Sequence, residues 1–395
     1  MKMWKVAIHF MAMGIWLVGP ITVAPAQEAK QILLRSCIRC HSEERLKTQR
    51  LTLSGWNDMV ERMRAYGAII SREEQRTLAS HLVGLYGPRR VQVPSTVYVT
   101  AEDTNEVWVI DPRERKVTGK IEVGRNPHGI ASGPQGRYVY VTNMVSGTVS
   151  IIDAFRNNVI GNLEMQENPH EVAVSPKGDY AYVSAPSQNR VEVFSVSAHE
   201  AGPHTHQVVA SIPVGRAPHG LATTPDGKWL YVVNMDSGDV SVVDTEKRKE
   251  LTRIPVGKGA HGITISPDGH YAWVTVFDEN KVAIIDTTKS VLVGFVPVGE
   301  YPYSVAIAPD GKSVWVTNDG SNTVSVIDAQ ARKVINTILV PDEPHGLAIS
   351  PDGSSVWVVH KAGNFLSVID TKSRAITNLL GVGKRPHGVI LNSSQ

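Results

Sequence analysis

Hydrophobic positions follow three different patterns along the 395-residue chain. A largely apolar run extends from Val6 to Val23, and apolar residues then recur every three or four positions between Trp56 and Leu82. From residue 97 onward, short runs alternate between apolar and polar positions. Spacing of three to four places side chains on one face of a helix, whereas alternation is typical of half-buried strands. The pattern predicts a small helical segment followed by a large region of strands.

Strand-like runs in the second region come in units of four, each closed by a turn signal such as A-P-D-G or S-P-D-G. A short motif marks each unit, in the forms GRNPHGI, ENPHEV, RAPHGL, KGAHGI, EYPYSV, DEPHGL and KRPHGV. Its central residues are His128, His170, His219, His261, Tyr303, His345 and His387, spaced by 42 residues except for one interval of 49. Four-strand units at this period are typical of a β-propeller.

The ends of the repeat region complement each other. Residues 97–123 supply three strands without a first strand, and residues 388–392 supply a first strand with nothing after it. We therefore predict that residues 91–395 form an all-β seven-bladed β-propeller in which the C-terminal strand closes the first blade. This arrangement removes open sheet edges.

Runs such as VYVTNMVSGTVSIID, together with the S-P-D-G turns, resemble the YVTN-repeat family of propellers over residues 97–392. The resemblance implies the fold. It does not imply an activity, because propellers of this family are scaffolds for many functions.

The first residues are typical of an export signal. Lys2 and Lys5 precede the apolar run, and Ala24-Pro25-Ala26 follows it as a small-residue cleavage site. We predict a signal peptide over residues 1–26, cleavage before Gln27 and a periplasmic mature protein. An uncleaved membrane anchor is the alternative. No later segment approaches the roughly 20 apolar residues of a membrane span, so we expect no integral span after cleavage.

The two cysteines of the chain, Cys37 and Cys40, lie in the sequence CIRCH. C-x-x-C-H is the attachment motif of c-type haem, in which both thiols form thioethers and the histidine, here His41, ligates the iron. A redox C-x-x-C pair and half of a zinc site are the alternatives. We predict one covalent haem c.

The helical pattern around this motif predicts a small all-α cytochrome c-like domain over residues 27–90, with a capping box formed by Ser71 and Glu74. The spacing W-x-x-x-V-x-x-M resembles cytochrome modules attached to periplasmic dehydrogenases, and this resemblance implies Met63 as the distal iron ligand. Met59 is the alternative and His81 a more remote one. For either methionine, core packing is the alternative, because methionine is an adaptable filler of hydrophobic cores.

Charge divides the mature chain in two. Residues 27–90 contain 12 Lys and Arg against 7 Asp and Glu (12 − 7 = +5), and residues 91–395 contain 26 against 31 (26 − 31 = −5). Opposite charges favour association of the two parts. No basic run is interleaved with aromatic residues, so we expect no nucleic-acid partner.

Histidine occupies six of the seven central motif positions in a chain with 14 histidines. The motif precedes the innermost strand of each blade, so we expect these side chains at one mouth of the central channel. The six histidines could ligate a metal such as copper or iron, or bind a haem-like cofactor. Together with Tyr303 they could also act as acid–base catalysts. Structural bracing of the ring is the alternative. His360 and Glu171 are weaker candidates for the same mouth.

These features predict a periplasmic c-type haem protein that carries electrons to or from a redox or metal site at the propeller mouth. If the chain is an enzyme, it is an oxidoreductase. The alternative is a non-enzymatic electron-transfer subunit whose propeller docks a partner dehydrogenase or a cofactor. Both require a redox partner protein, soluble or membrane-bound. A lactonase-like or lyase-like propeller enzyme is a third class, in which the haem would have no role.

Overall fold

The structure is a computed structural model that describes residues 53–65, 68–86, 95–165, 168–196 and 208–393. The chain divides into two compact units, Met1–Val91 and Gln92–Gln395. The predicted signal peptide and the CIRCH motif lie outside the described residues.

The described part of the first unit consists of two helices, α1 (Leu53–Ala65) and α2 (Arg72–Tyr86). The predicted capping box opens α2: the Ser71 backbone N–H donates to Glu74 Oε2 over 2.8 Å, and the Glu74 N–H donates to Ser71 Oγ over 3.1 Å. Trp56 and Val60 of α1 pack against Leu78 and Leu82 of α2. Neither of these two helices is long and apolar enough to cross a membrane.

The structure corrects the prediction of a small all-α cytochrome c-like domain over residues 27–90. Within the described residues, this region contains only the pair α1 and α2 and no substantial all-α domain. The apolar residues that recur at helical spacing from Trp56 onward are used for packing between the two helices. Trp56 and Val60 are fully buried in that contact, and Met59 and Met63 lie partly buried against it.

The second unit is the predicted seven-bladed β-propeller, and this part of the prediction is confirmed. Its strands in chain order are β1 Thr96–Ala101, β2 Glu106–Asp111, β3 Lys116–Glu122, β4 Pro127–Ser132, β5 Tyr138–Asn143, β6 Thr148–Asp153, β7 Asn158–Glu164, β8 Val172–Val174, β9 Tyr180–Ala185, β10 Arg190–Ser195, β11 Val208–Pro213, β12 Pro218–Thr223, β13 Trp229–Asn234, β14 Asp239–Asp244, β15 Lys249–Pro255, β16 Ala260–Ile265, β17 Tyr271–Val276, β18 Lys281–Asp286, β19 Val291–Pro297, β20 Pro302–Ile307, β21 Ser313–Asn318, β22 Thr323–Asp328, β23 Lys333–Leu339, β24 Pro344–Ile349, β25 Ser355–His360, β26 Phe365–Asp370, β27 Ile376–Gly381 and β28 Pro386–Asn392.

Each blade is a four-stranded antiparallel sheet, and we name it after the central motif residue that lies in its inner strand or, for His170, just before it. The sheets run β4–β7 (His128 blade), β8–β11 (His170), β12–β15 (His219), β16–β19 (His261), β20–β23 (Tyr303) and β24–β27 (His345). The His387 blade has the order β28-β1-β2-β3. In it, the C-terminal strand pairs with the first strand of the propeller, with Val97 opposite Leu391 and Val99 opposite Val389.

Hydrophobic side chains fill the space between neighbouring blades. Trp315 of the Tyr303 blade, for example, packs against Leu347 and Val356 of the His345 blade, and all three are buried. The inner strands contact one another in the closed order β4, β8, β12, β16, β20, β24, β28 and back to β4. This closure brings the seven motif residues to one end of the central channel.

Candidate functional site

A β-bulge orients the central residue of the motif. In the His128 blade, Pro127 is paired with Asn143 and Ile130 with Val141, so His128 and Gly129 together face the single residue Thr142. The same shift occurs in the inner strands of the His219, His261, Tyr303, His345 and His387 blades. A bulge re-aims a side chain out of the regular alternation of its strand. It explains how residues on the inner strands converge on the axis.

A threonine on the second strand satisfies the backbone groups that the bulge leaves unpaired. Thr142 Oγ1 accepts a hydrogen bond from the Gly129 N–H over 2.8 Å and donates to the carbonyl of His170, in the next blade, over 2.7 Å. Thr100, Thr275 and Thr317 make the equivalent contacts to the next motif residue. This bracing of the ring uses the backbone of the motif residues, not their imidazoles.

The glycine after the histidine is required because neighbouring inner strands approach closely at the axis. A Cβ atom on Gly129 would lie 2.7 Å from the carbonyl oxygen of His170, and one on Gly346 would lie 2.3 Å from that of His387. Gly220, Gly262 and Gly388 face the next blade in the same way. Five of the seven motif copies therefore exclude any larger residue here.

Asparagine side chains hold the approach to the motif. In the His128 blade, the N–H of Asn126 donates over 2.9 Å to the side-chain oxygen of Asn105, which lies in a hairpin of the preceding blade. Asn126 itself has a left-handed φ of 57°, a conformation that asparagine tolerates better than most residues. The same hydrogen bond recurs in four other copies of the motif, where a backbone N–H donates to the side-chain oxygen of Asn189, Asn280, Asn322 or Asn364.

The side chains that result form a closed circle of seven aromatic rings, which we call the histidine ring. Its members are His128, His170, His219, His261, Tyr303, His345 and His387. The centroid distances between successive members are 4.1, 3.8, 4.8, 4.0, 3.8, 5.0 and, from His387 back to His128, 3.5 Å. The structure thus brings together all seven predicted residues of the propeller mouth.

Two hydrogen bonds join members of the ring directly. His219 Nδ1 and His261 Nε2 are 3.2 Å apart, and the Tyr303 hydroxyl is 2.8 Å from His387 Nε2. Burial, followed by the nearby charge of Glu171, raises the pKa of Tyr303 well above its usual value. The Tyr303 hydroxyl therefore keeps its proton in this hydrogen bond with His387.

Burial keeps five of the imidazoles neutral. It lowers the pKa of His219 to about 4 and that of His345 to about 3. It also lowers the pKa of His170, His261 and His387 well below the usual histidine value, and repulsion between any two protonated ring members adds to this effect. Neutral imidazole has a free lone pair on one nitrogen, and this is the form that ligates metals.

Four ring histidines present an unused nitrogen. The Nδ1 atoms of His128, His170, His345 and His387 are buried and have no hydrogen-bond partner. A buried polar atom without a partner is costly, by about 1–3 kcal/mol. Four such nitrogens in one cluster fit a binding site for a ligand that accepts their lone pairs, such as a metal ion.

Within the described residues, three carboxylates face the ring, and the sequence pointed only to Glu171 among them. His128 Nδ1 lies 3.6 Å from Glu171 Oε1, and His128 Nε2 lies 4.0 Å from Glu102 Oε1. His345 Nδ1 lies 3.9 Å from Asp319 Oδ2. Burial, followed by the charge of Glu343, raises the pKa of Asp319 to about 6.

Glu102 and Asp319 occupy the same position in the repeat, and this position places them beside the ring. Both follow the second strand of their blade directly, where the other blades have Met144, Pro186, Met235, Phe277 and Lys361. Comparing the repeats at this position shows both acidic residues. Their proximity to the ring histidines could not be read from the sequence, because it depends on how the hairpin turns toward the axis.

A cavity of about 170 Å³ adjoins the ring inside the channel. Its lining includes Glu171, His261, Tyr303 and His387, together with inner-strand residues of the remaining blades. The space is large enough for a metal ion with several waters, since a water molecule takes about 30 Å³ in the liquid.

His360, a weaker candidate, has hydrogen-bond partners for both of its nitrogens. Nε2 is 2.8 Å from Ser367 Oγ, within the same blade, and Nδ1 is 3.0 Å from the carbonyl of Pro341. In other blades, Asn143, Asn234 and Asn318 fill this position and bond the equivalent serine. The structure therefore gives His360 the role that asparagine has elsewhere in the repeat.

Two models of known families match the repeat region. The model of the seven-bladed β-propeller lactonases matches residues 85–255, and that of the YNCE-like β-propellers matches residues 303–394. Each covers less than half of the chain. No curated protein sequence matches the chain.

Several solved structures have the same fold. Kuenenia stuttgartiensis hydrazine synthase matches with a TM-score of 0.63 at 22% identity, over 70% of this chain and 93% of the other. The dihydro-heme d1 dehydrogenase NirN in complex with DHE matches with a TM-score of 0.58 at 14% identity, over 92% and 98%. A putative 6-phosphogluconolactonase from Bacteroides fragilis NCTC 9343 matches with a TM-score of 0.64 at 15% identity, over 75% and 98%. At these identities the likeness concerns the fold, and with the two family models it supports a β-propeller family for this chain.

Proposed function

We propose that the chain is a periplasmic redox protein whose histidine ring holds a metal ion or another redox-active group, served by a covalent haem c. The histidine ring is the observation that carries this proposal. Six imidazoles converge at one mouth of the propeller, and four of them have a buried nitrogen without a partner. Three carboxylates stand beside them. A structural plug of the channel would not require this concentration of metal-binding groups.

Haem c supplies one-electron transfer when it is bound. Cys37 and Cys40 would form its thioethers and His41 would ligate its iron, all three outside the described residues. Met63 is our first candidate for the distal ligand and Met59 the second. Both side chains are partly buried against the core of the helix pair.

Two of the structures with the same fold bear names of redox enzymes, a hydrazine synthase and a dihydro-heme d1 dehydrogenase. These names are in keeping with redox chemistry on this fold. The names do not identify a substrate for this chain. We therefore propose a redox site, with a redox protein as its reaction partner.

Metal analysis of the intact protein tests the proposal. Full-length protein without an affinity tag is exported in a host that matures c-type cytochromes, and its iron, copper and zinc are counted per chain. We expect one haem iron and a second metal that is lost in a His128→Ala/His387→Ala variant, while the haem spectrum is retained.

One haem iron and nothing else, unchanged after incubation with copper or iron salts, would overturn the metal-binding part. A covalent chromophore that persists in a Cys37→Ala/Cys40→Ala variant would overturn the haem assignment. If the haem is present and the ring binds nothing, the non-enzymatic electron-transfer subunit becomes the better explanation.

The lactonase family match over residues 85–255 favours a second candidate, the hydrolysis of a cyclic ester. Glu171 or a neutral imidazole of the ring would then act as the general base on water. A panel of simple lactones separates the two candidates. Under our proposal none is hydrolysed, whereas hydrolysis that survives in the Cys37→Ala/Cys40→Ala variant and is lost in Glu171→Gln would favour the lactonase.

A further inference from the structure

We infer that Glu171 makes one side of the histidine ring a site for a divalent metal, with His128, His170 and Glu171 as its protein ligands. This inference rests on the proposed function, because it assigns the second metal to three particular residues of the ring. It goes beyond that function by replacing an even circle of six histidines with a local site of two nitrogens and one oxygen.

Glu171 is where the repeat departs from its own rule. The residue after the central histidine is glycine in five copies of the motif and serine in the Tyr303 copy. The His170 copy has Glu171, and its inner strand β8 begins only at Val172, whereas β4 begins at Pro127. The Glu171 N–H still donates to Ser184 Oγ over 2.9 Å, so its backbone remains anchored to the second strand.

The neighbouring blade leaves room for the Glu171 carboxylate. A Cβ atom on Gly129 would lie 2.5 Å from Glu171 Oε2, so any side chain at residue 129 would displace the carboxylate. The pair of Gly129 and Glu171 therefore forms a cradle that holds a negative charge against the ring. Glu171 also lines the cavity inside the channel, which leaves space for further ligands of a bound ion.

The donor atoms are arranged for a shared ion. One ligand atom from each of His128, His170 and Glu171 can be chosen so that all three lie within 4.8 Å of one another. The distance between His128 Nδ1 and Glu171 Oε1, 3.6 Å, is too long for a hydrogen bond. Ligand atoms around a metal with bonds of about 2.0–2.2 Å stand roughly 3.0–3.6 Å apart, so the distance between His128 Nδ1 and Glu171 Oε1 already matches this spacing.

The Nδ1 atoms of His128 and His170 provide the second line of support. Both are buried without a hydrogen-bond partner, and the two side chains are more than nine-tenths buried. Their imidazole centroids are 4.1 Å apart. Two orphaned nitrogens beside a carboxylate are accounted for together by one cation.

A competing group on the other side of His128 is less suited to a cation. Glu102, His128 and His387 satisfy the same distance limit. Glu102, however, already forms ion pairs with Lys361 Nζ at 3.4 Å and Arg385 Nε at 3.3 Å. Among the described residues, Glu171 has no Lys or Arg ion pair, so its charge is available to a metal.

The donor set defines the class of metal. Two imidazole nitrogens and one carboxylate oxygen suit divalent first-row ions such as Fe²⁺, Co²⁺, Zn²⁺ and Cu²⁺. Cu⁺ prefers sulfur donors, and none belongs to this group. The site would therefore select a divalent ion.

Zinc binding to the full-length, haem-loaded and tag-free protein tests the inference. The protein is treated with a chelator, dialysed against Zn²⁺, and its bound zinc counted, with the Kd measured by competition against a chelator of known affinity. Wild type should bind one Zn²⁺ per chain. Glu171→Gln should weaken binding at least about ten-fold, and Glu171→Gly, which restores the residue of five other copies, should do the same without a loss of thermal stability.

Glu300→Gln is the matched control, because Glu300 is an exposed acidic residue of the Tyr303 copy of the motif. It should bind Zn²⁺ as wild type does. Wild-type affinity in Glu171→Gln would overturn the inference. If Glu102→Gln then lost the zinc, the proposed function would stand with Glu102, His128 and His387 as the site. If wild type bound neither Zn²⁺ nor copper nor iron, the inference and the metal part of the proposed function would both be wrong.

Discussion

At the scale of single residues, burial determines the chemistry of the ring. An imidazole in water titrates near pH 6.5, and transfer to the crowded channel mouth penalises its charged form. The result is a set of neutral bases held at contact distance, with the protonated hydroxyl of Tyr303 hydrogen-bonded to His387. This chemistry requires no charged side chain to balance each histidine, which explains how six of them fit in one place.

The buried imidazoles predict that the protein loses stability in mild acid. Folded-state pKa values of about 4 for His219 and about 3 for His345 lie below the unfolded value near 6.5. As pH falls below 6.5 the unfolded chain binds protons first, so the free energy of unfolding falls, by up to about 1.4 kcal/mol per pH unit for each histidine. Asp319, with its pKa raised to about 6, acts in the opposite direction. Five ring histidines outweigh it.

We expect the urea midpoint to be lower at pH 5 than at pH 7.5, with the loss continuing toward pH 4. The variant His360→Asn provides a matched test. Burial lowers the pKa of His360 to about 4, and asparagine fills its position in three other blades. This variant should fold at pH 7.5 and lose part of the pH dependence. An acid response equal to that of wild type would contradict the role we give to buried histidine.

The sequence predicted the ring residues themselves, because position in a repeat fixes position in a propeller. It did not predict their environment. Glu102 lies 26 positions before His128 in the chain, and its approach depends on a hairpin direction that no local pattern encodes. His360 was expected at the mouth, but its nitrogens have partners in Ser367 and Pro341.

At the scale of the strands, a threonine hydroxyl satisfies the bulge in four of the six bulged blades. The threonine opposite the bulge accepts from the glycine N–H of its own blade and donates to the motif carbonyl of the next blade. Two blades lack this hydroxyl, since Val233 and Val359 occupy the position. The repeat therefore allows bulged blades with the threonine to be compared with bulged blades that have valine. Local sequence patterns did not predict the bulges, because alternation of apolar and polar residues predicts strands only.

The contribution of this hydroxyl to stability can be measured by removing it from one blade and adding it to another. Thr142→Val removes the partners of the Gly129 N–H and the His170 carbonyl. Leaving buried backbone groups unpaired should lower the free energy of unfolding by about 1–3 kcal/mol. Val359→Thr offers the same two bonds to Gly346 and His387, and we expect an unchanged or slightly higher stability. Urea unfolding at pH 7.5 measures both. Equal destabilisation by the two variants would show that the hydroxyl has no specific role.

At the scale of the whole molecule, the repeat spacing was sufficient to predict seven blades and their closure. Its strength lies in repetition, since one pattern observed seven times defines both the period and the missing strand. The helical segment had no such support. The spacing of Trp56, Val60 and Met63 indicated one apolar face, and a helix pair uses such a face as well as a haem domain does. The packing of Trp56 and Val60 against α2 could not be foreseen from α1 alone.

Because β28 closes the ring, we expect the propeller to depend on its C-terminal strand. β28 pairs with β1, and it contacts the inner strands β4 and β24 on its two sides. Deleting residues 386–395 would expose the edge of β1 and leave a gap in the ring of inner strands. We expect the loss of a cooperative thermal transition and rapid proteolysis, whereas deleting residues 394–395 alone should have no effect.

Moving the segment 386–392 to precede residue 96, joined by a turn like that of residues 350–354, would give the His387 blade the connectivity of the other six. This permuted chain should recover the transition, and a truncated chain that melted like wild type would show that the ring does not need its closing strand.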